Sequence, residues 1–254
     1  MMELMPHIKL SQNDAAPYVL LPGDPARVDR IASHLEKVEK LAWNREFYSI
    51  RGTFHSVPVL AVSTGLGGPS AATAVEELSK IGVKYFIRIG SCGALTQDAK
   101  LGDLILVTAA IRDDGTSKAY ADTSYPAVSD YLLLKACEES TKSLNVPFHI
   151  GLCRSHDSLY APEKAVKNEL CSKQGVLGSD METAAIFVCA ALKGLHAASI
   201  LNVVVEHNTA LAQNINLYTD GEALTSQGEQ NEILTALNAF VRIHNATHTK
   251  GELL

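Results

Sequence analysis

Short apolar runs rich in β-branched residues alternate with longer stretches of helical periodicity along almost the whole chain. Tyr18–Pro22, Val57–Ser63, Tyr85–Ile89, Leu104–Ala110, His149–Cys153 and Ala198–Val205 read as strands. Pro25–Leu35, Ser70–Ile81, Ser129–Leu144, Met181–Lys193 and Gln227–His244 read as helices. Gly82 and Gly194 follow two of these helices, where a glycine ends a helix. Strand and helix in this order imply parallel pairing, because a parallel strand needs a crossover and a helix is the usual one. The expected fold is therefore α/β: one domain over 1–254, with a mostly parallel, mixed central sheet flanked by helices on both faces. In such sheets ligands collect at the carboxyl ends of the strands, so the chemistry should stand where each apolar run stops.

Composition excludes several classes. At 46% apolar and 20% charged, the 254 residues are too apolar for a disordered chain. The net charge of -6 disfavours nucleic acid as a partner, since counterion release needs a basic surface. No apolar run reaches the roughly 18 residues of a membrane span, and Met1–Leu10 lacks the basic and apolar regions of a secretory leader. The five cysteines are odd in number and none forms a C-x-x-C pair, as expected of reduced thiols in a cytoplasmic protein.

The first strand ends in Pro22-Gly23-Asp24-Pro25-Ala26-Arg27, where Asp24 and Pro25 suit a helix start. Arg27 in that first turn opposes the helix dipole. It is either a surface arginine paired with Asp24 or Asp29, or part of an anion site with the helix N-terminus. The second strand ends in Thr64-Gly65-Leu66-Gly67-Gly68-Pro69-Ser70, which is neither a P-loop nor a dinucleotide fingerprint. The third carries Arg88 inside Tyr85–Ile89, followed by Gly90-Ser91-Cys92-Gly93. An unpaired guanidinium there would cost several kcal/mol, so Arg88 meets either a carboxylate or an anionic ligand. Asp180 and Glu182 precede an apolar helix, as caps or as acceptors for sugar hydroxyls. Glu206-His207 closes the last strand and is an acid/base candidate, or an ordinary loop charge beside a histidine.

Taken together, PGDPARVDRI, NREF at 44–47, STGLGGPSAATAVEEL, IRIGSCGAL, LGDLI, YPAVSDY and DMETAA resemble the nucleoside phosphorylase family, which includes uridine phosphorylase and the hexameric purine nucleoside phosphorylases. The likeness runs from about His7 to Ala239 and is strongest to the uridine enzymes. It implies cleavage of the nucleoside N-glycosidic bond by inorganic phosphate, giving free base and ribose 1-phosphate, with no cofactor required. By the same resemblance Gly23, Arg27, Arg88 and Ser91 would hold phosphate, with Arg45 reaching in from a neighbouring subunit. Met181 and Glu182 would hold the ribose, with the neighbour's His7 on its 5′ side. The smallest active unit would be a dimer, assembled in the family into a hexamer. Glu46, the Leu66 backbone and Ser70 match positions of a monovalent cation, potassium, at the dimer interface.

The base end departs from both subfamilies. The resemblance places Gly93, Leu159, Glu163 and Glu206 at the base. Glu163 and Ala165 stand where the uridine enzymes carry Gln and Arg, and Leu159 replaces a stacking aromatic. Glu206-His207 falls on the Asp-His pair with which purine enzymes protonate their base. The alternatives to a uridine enzyme are thus a purine nucleoside phosphorylase with Glu206 as its acid, a nucleosidase of the same fold, or an inactive nucleoside-binding relative.

Overall fold

The computed structural model describes residues 4–207, 209 and 223–249. Ten strands form one sheet: β1 (Tyr18–Pro22), β2 (Glu36–Asn44), β3 (Phe47–Phe54), β4 (Val57–Val62), β5 (Tyr85–Ala94), β6 (Leu104–Asp113), β7 (Ala127–Val128), β8 (Phe148–His156), β9 (Gly178–Asp180) and β10 (His196–Val205). Seven helices accompany them among the described residues: α1 (Pro25–Ala32), α2 (Gly68–Ile81), α3 (Gly115–Tyr120), α4 (Tyr131–Leu144), α5 (Lys164–Lys173), α6 (Thr183–Leu192) and α7 (Ala223–Thr249).

Parallel pairing joins β4, β1, β5 and β10, and links β8 to both β6 and β9. Antiparallel pairing attaches the β2–β3 hairpin to β4, β7 to β6, β6 to β10, and β9 to β5. The expected mixed sheet is present, with more antiparallel pairs than helix-spaced runs alone suggest. Strands β5, β10, β6, β8 and β9 pair in a closed ring, and β1, β4, β3 and β2 extend from β5 as a wing.

Both faces are covered. Ala71, Val75 and Leu78 of α2 and Ile186–Ala190 of α6 pack on one. Val28 and Ile31 of α1, Leu133 of α4, and Ile233, Leu237 and Phe240 of α7 pack on the other. Each fully buried aliphatic or aromatic side chain contributes about 1.5–3 kcal/mol. Helix α6 is buried from Thr183 through Ala190, as its unbroken apolar sequence requires. All five cysteines are free and buried. No helix among the described residues is long and apolar enough to cross a membrane.

The register of β5 places the site. Its first half pairs with β1, ending at Pro22 opposite Ile89, and its last residues pair with β9, beginning at Ser179 opposite Gly93. Opposite Gly90, Ser91 and Cys92 no strand among the described residues lies on that side. The sheet is split there into a crevice of the kind in which α/β proteins bind ligands. β5 does not stop at Ile89 as the glycines suggest. Gly90 stays in the strand because a Cβ on it would stand 2.5 Å from Nη2 of Arg88, so the missing side chain is room for the guanidinium.

Candidate active site

A cavity of about 1160 Å³ opens over this split and runs across the ends of β1, β5, β9, β8 and β10. That is ample for a small organic ligand with a co-substrate. Gly23, Arg27, Arg88, Ser91, Gly93, Leu159, Met181, Glu182, Glu206 and Leu66 all line it. Residues up to 183 positions apart in sequence therefore line one cavity.

Arg88 is 3% exposed, and of its two readings the carboxylate pairing is the one present. Its Nε donates to Asp180 at 2.9 Å and its Nη2 lies 2.5 Å from Glu182, while Nη1 is buried with no hydrogen-bond partner. Asp180 is itself fixed by the Ser155 hydroxyl at 2.6 Å and by the backbone and hydroxyl of Thr183. Asp180 therefore caps α6, while Glu182 faces the cavity. Gly67, at φ 97, turns its N–H onto Glu182 at 2.6 Å, a backbone conformation that favours glycine. Burial and the nearby Asp180 raise the Glu182 pKa; Arg88 and these N–H groups oppose the shift.

Arg27, 2% exposed, pairs with neither Asp24 nor Asp29. Its Nε meets Glu229 at 2.9 Å and its Nη1 meets Glu232 at 2.9 Å and the Ile89 carbonyl at 3.0 Å. Both carboxylates come from α7. Asp24 instead caps α1 and pairs with Arg30. Sequence reading missed Glu229 and Glu232, since acids three apart on a long helix look like a solvent face.

Glu232 is fully buried, and that burial pushes its pKa up to about 8, with Arg27 pulling it down and Glu229 pushing it further up. Between its ordinary value of 4.5 and about 8, the folded state holds a proton that the unfolded state has lost. Stability from this group therefore falls as pH rises through that window and is flat above it. Glu232→Gln should flatten that part of the melting-temperature profile between pH 5 and 9. An unaltered slope in the variant would show that Glu232 is ionised throughout.

Other residues singled out by the sequence stand apart from the cavity wall. Glu163 is exposed at the N-terminus of α5, where Lys164 and Ala165 reach the wall and it does not. Arg45 is exposed at the tip of the β2–β3 hairpin with φ 56. His7 is exposed, with Nδ1 2.6 Å from Glu77, and its carbonyl accepts from Asn44 at 2.7 Å. Arg45 and His7 thus belong to one surface patch outside their own chain's cavity, together with Glu46, whose carboxylate accepts from Ser70 at 2.7 Å. That hydrogen bond, helped by Arg45 and His7, holds the Glu46 pKa low. No cluster of three or more His, Cys, Asp or Glu occurs among the described residues, so the patch does not resemble a divalent-metal centre.

Known proteins are similar to this chain in sequence and fold. The family model described as the phosphorylase superfamily matches residues 17–236. A uridine phosphorylase of Thermococcus kodakarensis is 38% identical over 216 residues, covering 80% of this chain and 78% of the relative. A guanosine phosphorylase of Halorubrum lacusprofundi is 38% identical over 202 residues, covering 80% and 83%. The crystal structure of uridine phosphorylase from Vibrio fischeri superposes with a TM-score of 0.88 at 40% identity, covering 95% of this chain and 98% of that one. The purine nucleoside phosphorylase of Toxoplasma gondii, solved with immucillin-H, superposes at 0.87 with 28% identity, covering 97% and 98%.

Proposed function

The chain belongs to the phosphorylase superfamily and is a nucleoside phosphorylase, and from that premise we propose that uridine is its nucleoside, cleaved by inorganic phosphate to uracil and ribose 1-phosphate. The observation that carries phosphorolysis is Arg88: two of its nitrogens are locked by buried carboxylates, and the third, Nη1, is left for a ligand. A rigid guanidinium with one free donor suits a phosphate oxygen and needs no reorganisation when the anion arrives. A nucleosidase, attacking with water, has no use for it.

As the glycosidic bond breaks, the ribose takes on positive charge and the base negative charge. Phosphate held by Gly23, Arg27, Arg88 and Ser91 would stabilise the ribose cation and attack its anomeric carbon. Glu182 would accept the ribose hydroxyls beside Met181. Arg45 and His7 would serve a neighbouring subunit's cavity, which makes a dimer the smallest complete unit and fits a hexamer of three dimers. Glu46 and Ser70, with the Leu66 carbonyl, would offer oxygen ligands from each subunit to a potassium ion between them, a donor set that suits a monovalent cation.

Uridine is favoured by likeness to uridine phosphorylases at 36–38% identity over 78–82% of the chain. One observation favours a purine instead: Glu206 lines the cavity at the end of β10. A bulge between Val203 and Val205 aims that strand end. Uridine, thymidine, inosine, adenosine and guanosine, each with and without phosphate, decide between them. We expect phosphate-dependent release of uracil that survives Glu206→Gln. Purine release that falls by about 10²–10⁴-fold in that variant, the range for a lost general acid, would make Glu206 the acid and a purine the substrate.

A further inference from the structure

We propose that His156 and Lys164 contact the departing base and stabilise the negative charge it acquires. This rests on the phosphorylase reading, but not on which base is taken.

His156 closes β8 and is 3% exposed, on the cavity wall. Its Nδ1 is buried without a hydrogen-bond partner. A buried polar atom left unsatisfied is costly, and beside a cavity a ligand can supply the missing partner. Lys164 opens α5 on the same wall. Of the arginines and lysines lining the cavity, Arg27, Arg30 and Arg88 are each paired with carboxylates. Among the described residues no carboxylate lies within ion-pair distance of Lys164.

The charges packed beside these two, Arg154, Lys167, Asp113 and Asp180, are engaged with one another or with neighbours. Arg154 donates to Asp113 at 3.0 Å and to Asn168 at 2.7 Å, Lys167 lies 3.2 Å from Asp113, and Asp180 is held by Arg88. Glu169, Glu206 and His207 also line the cavity. Burial, with Arg154 and Lys164 nearby, pushes the His156 pKa down to about 4, so the ring is neutral at physiological pH and keeps one N–H and one lone pair. Burial and Arg154 likewise lower Lys164, so its ammonium stands in need of a counter-charge. The reaction supplies one. When the C1′–N bond breaks, its electron pair goes to the base and spreads onto the ring carbonyls, while a phosphate oxygen bonds to C1′. The phosphate's remaining proton is given up to solvent, and the base takes one back. Lys164 and the His156 N–H are placed to meet the transient anion, and the interaction strengthens only as charge develops.

The wild-type enzyme first identifies its nucleoside, so a purine result overturns the uridine reading and leaves this one standing. With that nucleoside, Lys164→Met and His156→Asn should each lower kcat/KM about 10- to 100-fold, while the KM for phosphate stays within twofold. The loss should shrink as the leaving base becomes more acidic, in a series such as uridine, 5-fluorouridine and 5-nitrouridine or its purine counterpart. An equal loss across the series, a parallel rise in phosphate KM, or no loss would each overturn the proposal. Lys164 is half-exposed on a surface helix, so its variant tests the proposal even if His156→Asn fails to fold.

Discussion

Replacing Arg88 with alanine should cut kcat/KM for phosphate by about 30- to several-thousand-fold, the kinetic equivalent of the 2–5 kcal/mol lost when one partner of a buried charged contact is removed. The substitution also reaches the fold. Asp180 and Glu182 would be left as buried carboxylates without their cation, and breaking such a pair costs about 3–5 kcal/mol, against a total stability of about 5–15 kcal/mol for a folded domain. Arg88→Ala should therefore melt well below the parent, so kinetics belong at a temperature where circular dichroism shows it folded. Arg88→Lys retains the charge but offers no fork to Asp180, Glu182 and an anion together. It should be more stable than the alanine variant and still poor with phosphate. A folded variant with unchanged efficiency at subsaturating phosphate would remove Arg88 from the phosphate site.

The second large effect concerns two substitutions in different chains. Glu182→Ala should abolish measurable turnover, because the cavity carboxylate fixed by both Gly67 and Arg88 is gone. Arg45→Ala should do the same from the hairpin tip. If Arg45 serves the neighbour's cavity, a mixed dimer carries one doubly damaged site and one intact site. Unfolding and refolding the two inactive variants together at equal concentration should then restore roughly a quarter of parental activity, since half the dimers are mixed and each has one intact site. Verified mixed oligomers without recovered activity would place Arg45 in its own chain's function or in none.

The alternation of runs and helices made the sheet's interior strands and its helices legible, because burial on both faces writes itself as continuous apolar sequence. The β2–β3 hairpin was not. Glu36–Asn44 is an outer strand exposed over most of its length, so its composition is that of a surface segment. The place of Arg88 at the cavity was legible because an arginine within an apolar run has few explanations. The partners of the arginines were not, since Asp180 lies 92 positions from Arg88 and Glu229 lies 202 from Arg27. Glu232 reads as solvent-facing in a helix, and its complete burial follows from tertiary packing alone. At the base end, resemblance pointed to Glu163, whereas the start of α5 brings Lys164 to the wall in its place.

The two ends of the cavity are built on unequal foundations. Arg88 stands on a strand of the sheet, Arg27 on the buried face of α1, and Glu182 at the start of a helix buried from Thr183 through Ala190, where an altered side chain disturbs a continuous core. Helix α5 is anchored by a small separate cluster of Leu95, Cys171 and Val176, with Ile111 against it. Substitutions on its cavity side reach neither of the large cores and cost little stability. On the proposed assignment, the base side of the cavity can change at little cost to the fold while the arginine side cannot, so a new nucleoside preference need not wait for a stabilising change elsewhere.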